Sequence, residues 1–114
     1  MKDIEHRLQV ACVRWFRLQH KDVLIFAIPN GGQRNVITAK RLKDEGVVAG
    51  VADLCVLCPN SDGFNGLFIE MKTEKGKQTE SQKEFEKYCL GQGYKYEVCR
   101  SFENFVEIVE NYLL

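Results

Sequence analysis

The runs Gly50-Val51-Ala52-Asp53-Leu54-Cys55-Val56-Leu57 and Leu67-Phe68-Ile69-Glu70-Met71-Lys72 decide how this chain folds. Both are apolar and of strand length. The segment between them, Pro59-Asn60-Ser61-Asp62-Gly63-Phe64-Asn65-Gly66, is dense in turn residues, so together they predict a β-hairpin or meander. The charges fall at the ends. Asp53 stands just before the first apolar run, and Glu70 and Lys72 close the second. Side chains alternate faces along a strand, so Glu70 and Lys72 share one face and Met71 takes the other. In an antiparallel pair the start of one strand lies beside the end of its partner, which lets Asp53 approach Glu70. Two carboxylates and an ammonium are thereby gathered at one end of an apolar sheet, where ionised groups are costly unless they pair or hold a metal.

Outward from this hairpin the pattern alternates between helix and strand. Ile4, Leu8, Ala11, Cys12, Trp15, Phe16 and Leu18 recur at helical spacing with no Gly or Pro between them, which predicts an amphipathic helix over 2–19. Glu5 lies at the edge of that stripe. Val23–Ile28 reads as a short buried strand ended by Pro29-Asn30-Gly31-Gly32. Residues 35–45 form a short basic helix stopped at Gly46, and the two-glycine stretch 46–52 is an irregular lead-in to the hairpin. Beyond Lys72 comes a basic loop, then Thr79-Glu80-Ser81-Gln82 or Ser81-Gln82-Lys83-Glu84 as a helix capping box. That helix turns Phe85, Tyr88 and Cys89 inward. Tyr94–Cys99 alternates as a strand, and Ser101 caps a last helix whose buried stripe is Phe102, Phe105, Val106, Val109, Tyr112 and Leu113. The order α-β-α-β-β-α-β-α predicts an α/β sandwich, a small mixed sheet with helices on both faces.

Bulk composition narrows the class without naming a function. A chain of 114 residues supports one domain, 1–114, with a single core. Sixteen basic and sixteen acidic residues cancel, so net charge neither requires nor excludes a nucleic-acid partner. Locally, 33–45 and 71–83 are basic and the last fourteen residues acidic, so the chain has the makings of a positive face. No apolar run is long enough for a membrane span, and the N-terminus lacks a signal core. Five cysteines without framework spacing point to reduced thiols in a cytoplasm. Cys55-x-x-Cys58 lacks a second ligand pair for zinc and a helix N-terminus for redox chemistry, so free thiols are expected.

Five elements in order resemble the VRR-NUC branch of the PD-(D/E)xK nucleases over almost the whole chain. They are Glu5 on the first helix; the loop Pro29, Asn30, Gly31, Gly32 and Arg34; the segment Gly46, Gly50, Ala52 and Asp53; Glu70-x-Lys72; and Gly76 ahead of a helix with an early Gln82. Ala52 stands where many members have Pro. The resemblance implies a restriction-endonuclease-like sheet flanked by helices and hydrolysis of DNA phosphodiesters with Mg2+ or Mn2+. Asp53 and Glu70 would then be metal ligands, with the Met71 carbonyl a third and Glu5 joining directly or through water. Lys72 would orient the attacking water and offset transition-state charge, and Gln82 would position that water, a phosphate or Glu5. Asn30, Gly32, Arg34, Lys40, Lys75 and Lys77 would meet DNA. Stand-alone members resemble Holliday junction resolvases, which implies a homodimer acting on branched or four-way DNA in a bacterial or phage-infected cell.

Each residue also has a plainer reading. Asp53 can cap a turn after Gly50, Glu70 and Lys72 can be an ordinary ion pair on a strand edge, and Gln82 can serve only the capping box. Asn30 and Arg34 can be turn and surface residues. The competing function is a non-catalytic nucleic-acid-binding module on the same fold, against which the retention of Asp53, Glu70 and Lys72 argues. A fragment of a larger restriction-type enzyme would lack the length for sequence readout.

Overall fold

The structure, a computed structural model, describes residues 2–29 and 36–114. Its elements run α1 (Lys2–Gln19), β1 (Ile25–Ala27), α2 (Val36–Asp44), β2 (Leu54–Val56), β3 (Leu67–Met71), α3 (Glu80–Gly91), β4 (Lys95–Cys99) and α4 (Phe102–Leu113). This is the order the sequence predicts. The sheet has four strands in the order β1-β2-β3-β4. β1, β2 and β3 are antiparallel neighbours, and β4 returns parallel to β3 after the α3 crossover. The fold is the restriction-endonuclease-like mixed sheet with helices on both faces.

Alternation along the central strands divides the core in two. Leu54, Val56, Leu67, Ile69 and Met71 join Cys12 and Phe16 of α1 and Phe105, Val109 and Tyr112 of α4. On the opposite face Ala52, Cys89 and Tyr96 are buried with Phe68 and Phe85 around them. Phe68 meets Phe85 edge-on with centroids 5.2 Å apart, fastening α3 to the sheet.

Local chemistry explains where the helices begin. Thr79 caps α3 through the full capping box: its hydroxyl accepts from the Gln82 N–H, and the Gln82 side chain accepts from the Thr79 N–H at 2.8 Å. Ser101 accepts from Asn104 N–H at 3.0 Å to start α4. Gly46, at φ +108°, ends the turn after α2.

Three readings of burial need correction. Ile4 and Leu18 are 62% and 70% exposed and Ala11 is exposed too. At 100° per residue they sit roughly 80–120° round from Cys12, so the buried stripe of α1 is narrower than its apolar content. β1 is an edge strand with only Ile25 buried, because among the described residues it has a partner strand on one side alone. Tyr88 is 68% exposed, a quarter-turn away from Cys89. All five cysteines are free thiols. Burial pushes Cys55 and Cys89 up to about 11, which keeps them protonated and unreactive at neutral pH.

Candidate active site

The register of the central hairpin brings the acidic residues together. Leu54 lies opposite Ile69, so one step further Asp53 lies opposite Glu70. Residues facing one another across antiparallel strands have Cβ atoms about 4.5–5.5 Å apart. The β2 ladder stops at Leu54, which leaves the Met71 N–H without a backbone carbonyl to meet. Asp53 Oδ2 accepts that N–H at 2.7 Å, while the Asp53 carbonyl accepts from Ile28 N–H at 2.9 Å. Asp53 therefore caps a strand end rather than a turn after Gly50. A residue's N–H and C=O face the same edge of an extended strand, so the Met71 carbonyl is turned toward Asp53 as well.

Burial above all raises the Asp53 pKa. The Met71 N–H works against that, the Glu70 and Glu5 carboxylates add to it, and Lys72 offsets part of it. Glu5, half-buried on α1, is thus close enough for Asp53 to feel its charge. It does not complete a cluster, however. Among the described residues no three His, Cys, Asp or Glu side chains come close enough to share a metal ion. Of the two roles expected for Glu5, direct ligation has no support in this geometry.

Glu70 is 1% exposed on a central strand, so the ordinary surface ion pair on a strand edge is excluded. Lys72, its side chain 14% exposed, places Nζ 3.2 Å from Glu70 Oε2. That approach has ion-pair distance without hydrogen-bond geometry, and Oε2 has no hydrogen-bond partner among the described residues. Glu70 Oε1 accepts from the Tyr96 hydroxyl. The Tyr96 oxygen in turn accepts from Gln78 Nε2 at 3.3 Å, and the same amide nitrogen donates to Glu86 Oε1 at 3.0 Å. A relay from α3 through the 73–78 loop and β4 thereby fixes one oxygen of Glu70. The other is left short of a donor, an arrangement normally costly for a buried carboxylate.

Gln82 reaches this end of the sheet because α3 starts against Gly50. A Cβ on Gly50 would lie 2.4 Å from the Ser81 carbonyl oxygen and 2.9 Å from the Gln82 nitrogen, and Gly50 has φ +88°. Only glycine fits that approach. The Gln82 oxygen is spent on the cap, so its amide nitrogen is what remains to offer another group. Lys75 and Lys77 are exposed on the loop after Lys72, without an ion pair among the described residues. Arg100 holds that loop: its Nη1 donates to the carbonyls of Thr73, Glu74 and Gly76 at 2.8, 3.3 and 2.6 Å. Lys40 pairs with Asp44 on α2 at 3.0 Å. Asn30, Gly32 and Arg34 lie outside the described residues.

Sequence reasoning missed Tyr96, Gln78 and Arg100. Alternation assigned Tyr96 to a face, and nothing local showed that this face is the one Glu70 shares. No arginine of a strand end announces a partner more than twenty residues away.

An aspartate at the start of one strand, beside Glu-x-Lys at the end of its neighbour on a mixed sheet with helices on both faces, is the PD-(D/E)xK arrangement. Within that class, the family model for the VRR-NUC domain matches residues 3–103. The chain belongs to the VRR-NUC domain family, a nuclease-type family. It is also similar to a solved structure titled "VRR_NUC domain protein", at 24% identity and TM-score 0.79, over 95% of this chain and 86% of that one. That likeness concerns the fold. No curated protein matches the chain. Among the described residues no helix is long and apolar enough to cross a membrane.

Proposed function

We infer that this chain is a divalent-metal-dependent, structure-selective DNA endonuclease, acting on branched or four-way DNA as a homodimer. One observation carries the reading: the buried Glu70 carboxylate, opposite Asp53 and 3.2 Å from Lys72, keeps an oxygen without a hydrogen-bond partner among the described residues. Hard oxygen donors with unspent lone pairs, crowded so that Asp53 resists ionisation, suit Mg2+ or Mn2+. Asp53, Glu70 and the Met71 carbonyl would hold the ion, with Glu5 joining through water. When bound, such an ion polarises the phosphoryl oxygen and acidifies a water.

The chain's own groups do the rest. Asp53 and Glu70 set their carboxylates side by side at the strand ends, where they would hold the ion against the scissile phosphate. Lys72 presents a positive charge beside the reacting phosphorus, where negative charge grows in the transition state. Gln82, locked by its cap, offers an amide hydrogen to a water or a phosphate oxygen. Lys75 and Lys77, on the loop held by Arg100, meet flanking phosphates.

A symmetric junction needs two cuts related by a two-fold axis, which a homodimer supplies. Leu24, Phe26 and Leu57, exposed together at the β1 end of the sheet, are compatible with such a contact. The test is incision of linear duplex, flap and four-way junction DNA with Mg2+ or Mn2+. Cleavage lost in Asp53→Ala, Glu70→Ala and Lys72→Ala supports the reading. Binding without cleavage by the unaltered chain would favour the non-catalytic binding module instead.

A further inference from the structure

The outer face of α1 carries charge that the site does not use. From His6 to Lys21 the sequence contains Arg7, Arg14, Arg17 and Lys21 and no acidic residue. All four cations are exposed and none forms an ion pair among the described residues, and Arg17 Nη2 donates to the Ile25 carbonyl of β1 at 3.2 Å. Helical phase places the first two. Cys12 and Phe16 are fully buried beneath α1, and at 100° per residue Arg7 and Arg14 fall roughly 140–180° away, whereas Arg17 lies at the flank of the helix and Lys21 just beyond its end. Arg7 and Arg14 are spaced by seven residues, so they stay nearly in line at a rise of about 10 Å.

The N-terminal end of this ridge lies toward the candidate active site. A cleft of about 390 Å³ is lined by His6, Val10, Val13, Arg14, Arg17 and Ala27. Ala27 adjoins Ile28, whose N–H bonds the Asp53 carbonyl at 2.9 Å. At the helix start, Glu5 adjoins His6 and acts on Asp53. α4, which packs beside α1, shows the opposite charge: Glu103, Glu107 and Glu110 are exposed and the helix has no basic residue. A polyanion approaching this layer is drawn to α1 and repelled by α4.

We propose that the outer face of α1 binds the phosphates of a duplex DNA arm leading away from the cut site, with Arg7 and Arg14 as the principal contacts. The proposal rests on the nuclease reading above. A second copy of this chain is the less suitable occupant. A two-fold contact through this face would set each ridge of cations against its own image, with no acidic residue between to relieve the repulsion.

The experiment measures binding of labelled linear duplex and four-way junction DNA in EDTA, where no divalent ion permits cleavage, from about 50 to 200 mM KCl. Each phosphate contact adds about 0.9 to the slope of log affinity against log salt, so at about 0.1 M each is worth roughly eightfold in affinity. Arg7→Gln/Arg14→Gln should lower affinity on the order of 60-fold at that salt and reduce the slope by about 1.8. Arg7→Lys/Arg14→Lys should restore most of both, and thermal melting should stay at the parent value. A double Gln variant with the parent slope overturns the track. A parent slope combined with a change from dimer to monomer mass overturns it in favour of a protein contact. If the unaltered chain binds no DNA, the nuclease reading itself fails, a result distinct from either of these.

Discussion

Replacing Tyr96 with Phe tests the buried carboxylate. The ring keeps its place, since Tyr96 is 6% exposed and lies edge-on to Phe85 with centroids 6.1 Å apart. What disappears is the hydroxyl that donates to Glu70 Oε1 and accepts from Gln78. With Glu70 1% exposed, solvent cannot take over, and Lys72 is left as its one charged partner among the described residues. Depriving a buried charged acceptor of its donor costs about 1–3 kcal/mol. Relief from desolvating the phenol offsets some of this, so the expected loss is about 2 kcal/mol. That lowers the melting midpoint by about 8 °C for a domain of this size. The assay is urea denaturation at pH 7 in EDTA, with the slope m unchanged because the same surface is exposed on unfolding. In Mg2+ the deficit should shrink, a bound cation meeting the charge that the hydroxyl met before. Gln78→Ala, which removes only the donor that orients the hydroxyl, should cost about 0.5–1 kcal/mol. A Tyr96→Phe stability within about 0.5 kcal/mol of the parent would mean that the hydroxyl does not hold Glu70, and the relay would have to be abandoned.

Asp53→Asn keeps an acceptor for the Met71 N–H and removes a charge that burial and two neighbouring carboxylates disfavour. A raised pKa in the folded state means stability present below the unfolded value and lost as pH rises through the folded one. Metal-free Asp53→Asn should therefore melt above the parent at pH 7 and converge with it toward pH 4; a lower midpoint at pH 7 would contradict the assigned direction. Gly50→Ala should cost on the order of 3 kcal/mol or more, because a Cβ there meets backbone atoms. Gly46→Ala, also at positive φ but with open space around it, should cost only about 1–2 kcal/mol in the same urea titration. Arg100→Ala should speed amide exchange in the 73–78 loop on the order of tenfold, the worth of one charge-assisted hydrogen bond, and mass spectrometry of deuterated peptides reads this out.

What the sequence disclosed and what it withheld divide along a physical line. The hairpin, its turn and the meeting of Asp53 with Glu70 follow from period-two alternation and antiparallel geometry, both local rules that twenty residues are enough to apply. The α3 capping box is local in the same sense. The relay is not, because it joins residues 70, 78, 86 and 96 across a parallel crossover, and which face β4 offers to β3 depends on a register that α3 sets. Gly50 shows the boundary between the two kinds of information. As sequence it marked an irregular stretch and a family position; its reason is the Ser81 carbonyl lying where a side chain would have to go. The face of α1 shows the same boundary from the other side. Its apolar residues cover a wider arc than one sheet and one neighbouring helix can bury, so spacing alone places Ile4, Ala11 and Leu18 in a core that has no room for them. The basic residues are free of that ambiguity. Arg7 and Arg14 must lie opposite Cys12 and Phe16 once those two are buried, so the charged face of a helix is fixed more firmly by its buried residues than the width of its apolar face is.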